Sequence, residues 1–459
     1  MRKYLLFKAF FLHQDSVPLV SSAPILAPAP QATMRAHVYP VTSYGADPTG
    51  KSDSTEAILK AIADAFQISA ETDGSLMEGI PNLGGAQIFL EGGSYLISRP
   101  LRIPAARAGN LVIHGGTLRA SADFPTDGFL IDLSANQNVQ TKVKGRKKTS
   151  IPSYSYEYIS LRSLMLDCNY RGGGISVVNS LRTTIDNCYI AHFRTSGILV
   201  QKGHETYIRN SFLGQHITAG KHEGEKDFSG IAINLMGNDN AVTDVVIFSA
   251  AIGVMISGQA NTLSGVHCYN KATGFGGAGI YLKLPKLTQT RIINCYLDYT
   301  GIIAEDPVLL HISSSFFFGD AYVQLKSIKG VAKGVTIVDN MFSGSNKGVS
   351  IVQLDESIKP FKEIDQVVVD RNVVKGMKVK ATAARGSVKH TGKSWTVDFN
   401  CVLLFPNMIK HVQYSFSSTS GGLFPNHALR NSSQNRVLIE SDVAVPATVF
   451  VTVDQATTF

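Results

Sequence analysis

Asp167 and Asp227 stand in turns that each lead into a glycine and a short apolar run, Gly172-Gly173-Gly174-Ile175 after the first and Ser229-Gly230-Ile231 after the second. Two carboxyl groups held apart on one surface can work as acid and base. For a glycosidic bond the separation is about 5 Å when configuration is retained and roughly 6.5 to 9.5 Å when it is inverted. His216 lies between them in sequence, and an imidazole there can orient or tune one carboxylate. The same insertion, Gly214 to Ser229, also holds His222, Glu223 and Glu225. Arg171, Arg194, Lys271 and Lys283 accompany the acids, and a planar guanidinium suits bidentate carboxylate binding. These residues outline an acid–base pair beside cations that would grip an acidic polymer. The competing reading of each is a solvated turn residue or ordinary surface charge.

Only a repeating fold brings such distant residues together, and the chain repeats. Ile185-Asp186-Asn187-Cys188-Tyr189, Ile208-Arg209-Asn210-Ser211-Phe212, Ile293-Asn294-Cys295-Tyr296 and Ile337-Val338-Asp339-Asn340-Met341-Phe342 are copies of one pattern. Weaker copies put Ser163, Asp244, Gly265, Ser314 and Asn372 at the Asn position, so successive marks lie 20 to 34 residues apart. A second apolar strand follows in each copy: Gly174-Ile175-Ser176-Val177, Gly197-Ile198-Leu199-Val200, Gly230-Ile231-Ala232-Ile233, Gly253-Val254-Met255-Ile256, Gly279-Ile280-Tyr281-Leu282. Strand-and-turn repeats of this length, without helical periodicity, predict a solenoid. The fold expected is all-β: a right-handed, single-stranded parallel β-helix in which Asn187, Asn210, Asn294 and Asn340 are structural and stack as an amide ladder. Four residues before the Ile or Val of each Gly-Ile strand stand Arg171, Arg194, Asp227, Ala250, Gly276 and Asp298, a predicted column on one face. With coils about 4.8 Å apart, Asp167 lies two coils from Asp227, and Asp298 some three coils beyond it.

A stack of coils needs its open ends covered. Asp53-Ser54-Thr55-Glu56 reads as a capping box opening a helix whose Ile58, Ile62 and Phe66, with Ala57, Ala61 and Ala65, form an apolar stripe that can lid the first coil. Near residue 390 the coil pattern fades, and Trp395 to Phe399, Val437 to Ile439 and Val449 to Val453 alternate like antiparallel strands. The organisation expected is a signal-like segment and linker over 1–36, a β-helix over 37–390 and a C-terminal β-rich cap over 391–459. Arg2 and Lys3 precede an apolar run that Lys8 interrupts and Asp15 follows, which predicts secretion through an imperfect signal. That run is too short to span a membrane.

Charged residues are only 17% of the chain, below the roughly 25% of ordinary domains, which suits strands that are mostly buried. A net charge of +8 favours an acidic partner. Nucleic acid is set aside, because apart from Lys142 to Lys148 the basic residues are scattered and no recognition helix is present. The five cysteines have no CxxC spacing and no three acids cluster, so no metal or cofactor is expected, and the chain is read as a monomer.

Val41-Thr42-Ser43-Tyr44-Gly45-Ala46-Asp47-Pro48-Thr49-Gly50 with Asp53-Ser54-Thr55, then Gly84-Gly85-Ala86-Gln87-Ile88-Phe89-Leu90, resembles the pectate-lyase-3-like β-helix superfamily. Gly203-His204-Glu205-Thr206-Tyr207-Ile208-Arg209-Asn210 to Gly214-Gln215-His216-Ile217, Gly237-Asn238-Asp239-Asn240 and Ser257-Gly258-Gln259-Ala260-Asn261 look like the QUARTET-type divergent polygalacturonases of plants. The resemblance runs from residue 37 to the C-terminus. It implies a secreted glycoside hydrolase acting on α-1,4-linked galacturonate of cell-wall pectin. A calcium-assisted pectate lyase and a non-catalytic pectin-binding solenoid are the alternatives. Ordinary polygalacturonases carry an Asn-Thr-Asp-Gly motif, a double Asp, Gly-His-Gly and Arg-Ile-Lys. Here Gly173, then Thr195 with Ser196, stand where those aspartates belong, and Gly203-His204-Glu205 and Tyr281-Leu282-Lys283 replace the other two motifs.

Overall fold

The computed structural model describes residues 37–67, 76, 79–104, 107–134, 154–215, 229–270, 276–283, 289–418, 421 and 424–456. The chain divides at Ala36/His37, and everything below concerns the second unit. It is a right-handed parallel β-helix with three faces. The first face runs through strands such as Thr184–Asp186, Tyr207–Arg209 and Thr290–Ile293. The second runs through Tyr189–Ala191, Phe212–Gly214 and Tyr296–Asp298. The third is a ten-stranded parallel sheet that includes Gly173–Val178, Ser196–Gln201, Ala278–Leu282, Ile302–Glu305, Val323–Lys326 and Val352–Asp355.

The Gly-Ile signature has a steric cause. Ile175, Ile198, Ile233, Val254, Ile280, Ile302, Val323 and Val352 pair rung by rung and point into the core. Where a glycine precedes, as at Gly174, Gly197, Gly253, Gly279 and Gly301, it has no room for a side chain. A Cβ on Gly197 would sit 2.7 Å from the Ala232 carbonyl oxygen and 2.8 Å from a Leu213 methyl. Gly253 would meet Cys268 Sγ at 2.9 Å. At these coils the sharp entry into the third-face strand is therefore bought with glycine. Ala232, Tyr322 and Ile351 take the same position on others. The expected Gly230-Ile231 entry lies two residues out of register, because Ile198 pairs with Ile233.

The recurring Asn position is a left-handed turn residue between the first and second faces. Ser163, Asn187, Asn210, Asp244, Gly265, Asn294 and Ser314 all have φ between 50° and 66°. The column then continues through Asp339 and Arg371, because Phe316 pairs with Met341 and Met341 with Val373. Taking Asn340 and Asn372 as the marks is thus one residue out of register. Those two are inward-facing: Asn340 Nδ2 donates to Asn372 Oδ1 at 3.0 Å, while Asn340 Oδ1 accepts the Ser315 N–H at 3.0 Å. A second amide pair, Asn240 with Asn261, sits at the corner entering the first face. In the turn column itself Asn187 bonds Ser163 and Asn210 bonds Asp186. The stacked amides are thus Asn340 with Asn372, one position on in the same corner, and Asn240 with Asn261 at another corner, not the expected column.

The helix Thr55–Gln67 buries Ile58, Ala61, Ile62 and Ala65 against the first coil. Asp53 accepts the Thr55 N–H at its start. At the other end Ala383–Asp398, His411–Ser418, His427–Ser433 and Arg436–Asp454 form an antiparallel sheet with its own core around Trp395. All five cysteines are free, four of them buried.

Candidate active site

Asp167, Arg171, Arg194 and Lys283 lie among the described residues. Asp227, His216 and Lys271, with the rest of the Gly214–Ser229 insertion's acids and histidines, lie outside them, so the Asp167–Asp227 pairing has no geometry to report. Asp167 ends a long strand that turns from the first to the second face. It accepts a hydrogen bond from the Asn169 N–H at 3.0 Å, lies 2.8 Å from His192 Nδ1 and has Arg119 Nε 3.6 Å away. The Tyr170 ring leans on His192, centroids 4.7 Å apart, and its hydroxyl donates to the Gln215 carbonyl. Burial pushes the Asp167 carboxyl up, but His192, the Asn169 N–H and Arg119 outweigh it and hold the group below its ordinary range. Asp167 is therefore ionised and matched by protein charge. It can act as a base or an anchor, and as a proton donor it is poorly set. Arg171 donates to the Phe124 carbonyl at 2.9 Å, and Arg194 is exposed one coil on. Asp298 shares the second-face column of Asp167, five rungs away by register.

The third face carries a second set of ionisable groups that no motif announced. Three residues beyond each inward Ile or Val, the outward position holds Lys283, Glu305, Lys326 and Asp355 on successive coils. Glu305 is nine-tenths buried, and Tyr281 from the preceding coil donates its hydroxyl to Glu305 Oε1 at 2.6 Å. Burial, then the Glu305 bond, then the charges of Glu305 and Asp355 push the Tyr281 phenol well up, so it remains a donor. Asp355 accepts from the Ser357 N–H at 3.1 Å and from Gln324 Nε2 at 3.1 Å. The Ser357 contacts, with a smaller contribution from Lys326, hold its carboxyl below the ordinary range. Among the described residues no ion pair closes Lys283 or Lys326 onto a protein carboxylate. The signal was present in the sequence as Ile302-Ile303-Ala304-Glu305, Val323-Gln324-Leu325-Lys326 and Val352-Gln353-Leu354-Asp355, but only the first of those coils, at Gly301-Ile302, has the Gly-Ile entry that marked the earlier ones.

Residues 38–276, just over half of the chain, match the family described as rhamnogalacturonase A/epimerase, pectate lyase-like. The chain belongs to this family. It is also 63% identical over 449 residues to polygalacturonase QRT3 of Arabidopsis thaliana, covering 98% of this chain and 90% of that protein. That likeness extends through the third-face column and the C-terminal sheet, as the resemblance of the middle segments implied. Among solved structures, the ORF18 protein of Geobacillus virus E2 superposes with a TM-score of 0.52 at 11% identity, covering 89% of this chain and 78% of its own. An endo-xylogalacturonan hydrolase from Aspergillus tubingensis gives a TM-score of 0.48 at 12% identity, over 72% of this chain and 91% of its own.

Proposed function

We propose that this protein is a polygalacturonase, hydrolysing α-1,4-galacturonosyl bonds of pectin in the plant cell wall after secretion. The observation that carries the reading is the 63% identity across 98% of the chain to a protein named polygalacturonase. The net charge of +8 supports an anionic substrate. So do Lys283 and Lys326, which stand one coil on either side of Glu305 and form no ion pair among the described residues. Arg194, exposed at the corner leading into the same face, is positioned to hold a further unit of the polymer. The third face is a continuous parallel sheet along which an extended chain can lie.

The replacement of the family's usual aspartates by Gly173, Thr195 and Ser196 favours one other reading, a solenoid that binds pectin without cutting it. Incubating the purified protein with polygalacturonate separates the possibilities. Hydrolysis raises reducing ends without unsaturated products, and the rate survives a calcium chelator. Chelator-sensitive formation of unsaturated products would convert the reading to a lyase. Binding without turnover would leave the solenoid.

A further inference from the structure

We propose that Glu305 and Asp355 on the third face are the acid–base pair of this hydrolysis, with Lys283 and Lys326 holding carboxylates of the substrate on either side of Glu305. The assignment rests on the polygalacturonase reading and adds the site to it. Four features of the column carry it. The two carboxylates stand on the same outward position of coils two rungs apart, Glu305 pairing with Lys326 and Lys326 with Asp355. Two rungs of about 4.8 Å put their backbones about 9.6 Å apart, at the upper end of the separation at which a water fits between base and anomeric carbon. The lysines on the intervening and preceding coils form no ion pair with a protein carboxylate among the described residues, which leaves their ammonium groups able to meet an acidic ligand. And the pair is differentiated: Glu305 is nine-tenths buried under a tyrosine hydroxyl, whereas Asp355 is half-buried, hydrogen-bonded by Ser357 and Gln324.

The differentiation assigns the roles. Asp355, held ionised by the Ser357 contacts and Lys326, takes a proton from a water molecule. That water's oxygen bonds to the anomeric carbon while the bond from that carbon to the glycosidic oxygen breaks. The Glu305 carboxyl gives a proton to the departing oxygen. One water is consumed, and the carboxyl groups return to their starting states by exchanging one proton with solvent. Tyr281 is a positioning residue: its hydroxyl fixes one Glu305 oxygen.

The test uses the full-length protein with polygalacturonate and two variants that preserve shape. Glu305→Gln keeps an acceptor for Tyr281, and Asp355→Asn keeps an oxygen for Ser357. Each is expected to lower turnover about a hundredfold or more, while equilibrium binding of an oligogalacturonate stays within about threefold of wild type. Proton NMR of the wild-type reaction should show the new reducing end appearing first as the β-anomer, as an inverting separation requires. If the wild type is active but either variant keeps turnover within about threefold, or the α-anomer appears first, the assignment falls and the hydrolase reading stands. If the wild type binds the polymer and releases no reducing ends, the hydrolase reading falls and takes the assignment with it.

Discussion

Replacing Asn340 by Ala should cost far more stability than changing Asn187, although the sequence pattern presents the two as equivalents. The Asn340 side chain is 1% exposed and makes three hydrogen bonds: from the Ser315 N–H, to the Ile312 carbonyl and to Asn372 Oδ1, at 3.0, 3.2 and 3.0 Å. Each is worth about 1 kcal/mol net, and the Ser315 N–H left behind in a buried corner adds a desolvation penalty of about 1 to 2 kcal/mol. The expected loss is therefore about 4 to 5 kcal/mol. Asn187 is exposed, makes one bond to Ser163 Oγ at 3.2 Å, and has φ of 53°. Asn187→Gly suits that left-handed backbone, so its cost should stay below about 1 kcal/mol. Urea unfolding followed by far-ultraviolet circular dichroism reads both changes on the coil strands. Trp395 fluorescence reports the C-terminal sheet separately. An Asn340→Ala loss under about 1 kcal/mol, or an Asn187→Gly loss equal to it, would refute the idea that the inward amides, and not the turn column, brace the stack.

Other outcomes follow from the same geometry. Gly197→Ala should destabilise by about 1 to 3 kcal/mol in the same urea assay, since the new methyl has no space beside Leu213 and the Ala232 carbonyl. Asp167 has a folded-state pKa below its unfolded value of about 3.9, so its contribution to stability is present above pH 4 and is lost as pH falls through the lower folded value. The stability gap between wild type and Asp167→Asn, measured by thermal unfolding, should accordingly be open at pH 6 and narrow steadily below about pH 4. A gap independent of pH would contradict the His192 and Arg119 contacts. Burial pushes the Cys188 and Cys295 thiols up to about 11 and those of Cys168 and Cys268 higher still. A thiol reagent at neutral pH should therefore modify one cysteine, Cys401, in the native protein and five in denaturant.

The coil architecture was legible in the sequence because each coil repeats the same local demands. A left-handed residue at the turn, a glycine where no Cβ fits and an inward Ile or Val recur at positions that short-range sterics fix, and the helix Thr55–Gln67 announced itself by its cap and stripe. Which residues become neighbours along the axis was a different matter. His192 reaches Asp167 from 25 positions away, and Glu305 stands between Lys283 and Lys326 only because the turns joining their strands have particular, unequal lengths. Strands of three or four residues carry too little alternation to set their own phase, as the one-residue slip at Asn340 and Asn372 shows. The ladder hydrogen bonds between coils choose the register, and with it the partners of every outward side chain. Tertiary pairing therefore decided where Glu305, Lys326 and Asp355 line up, while the sequence by itself determined that there would be a ladder for them to stand on.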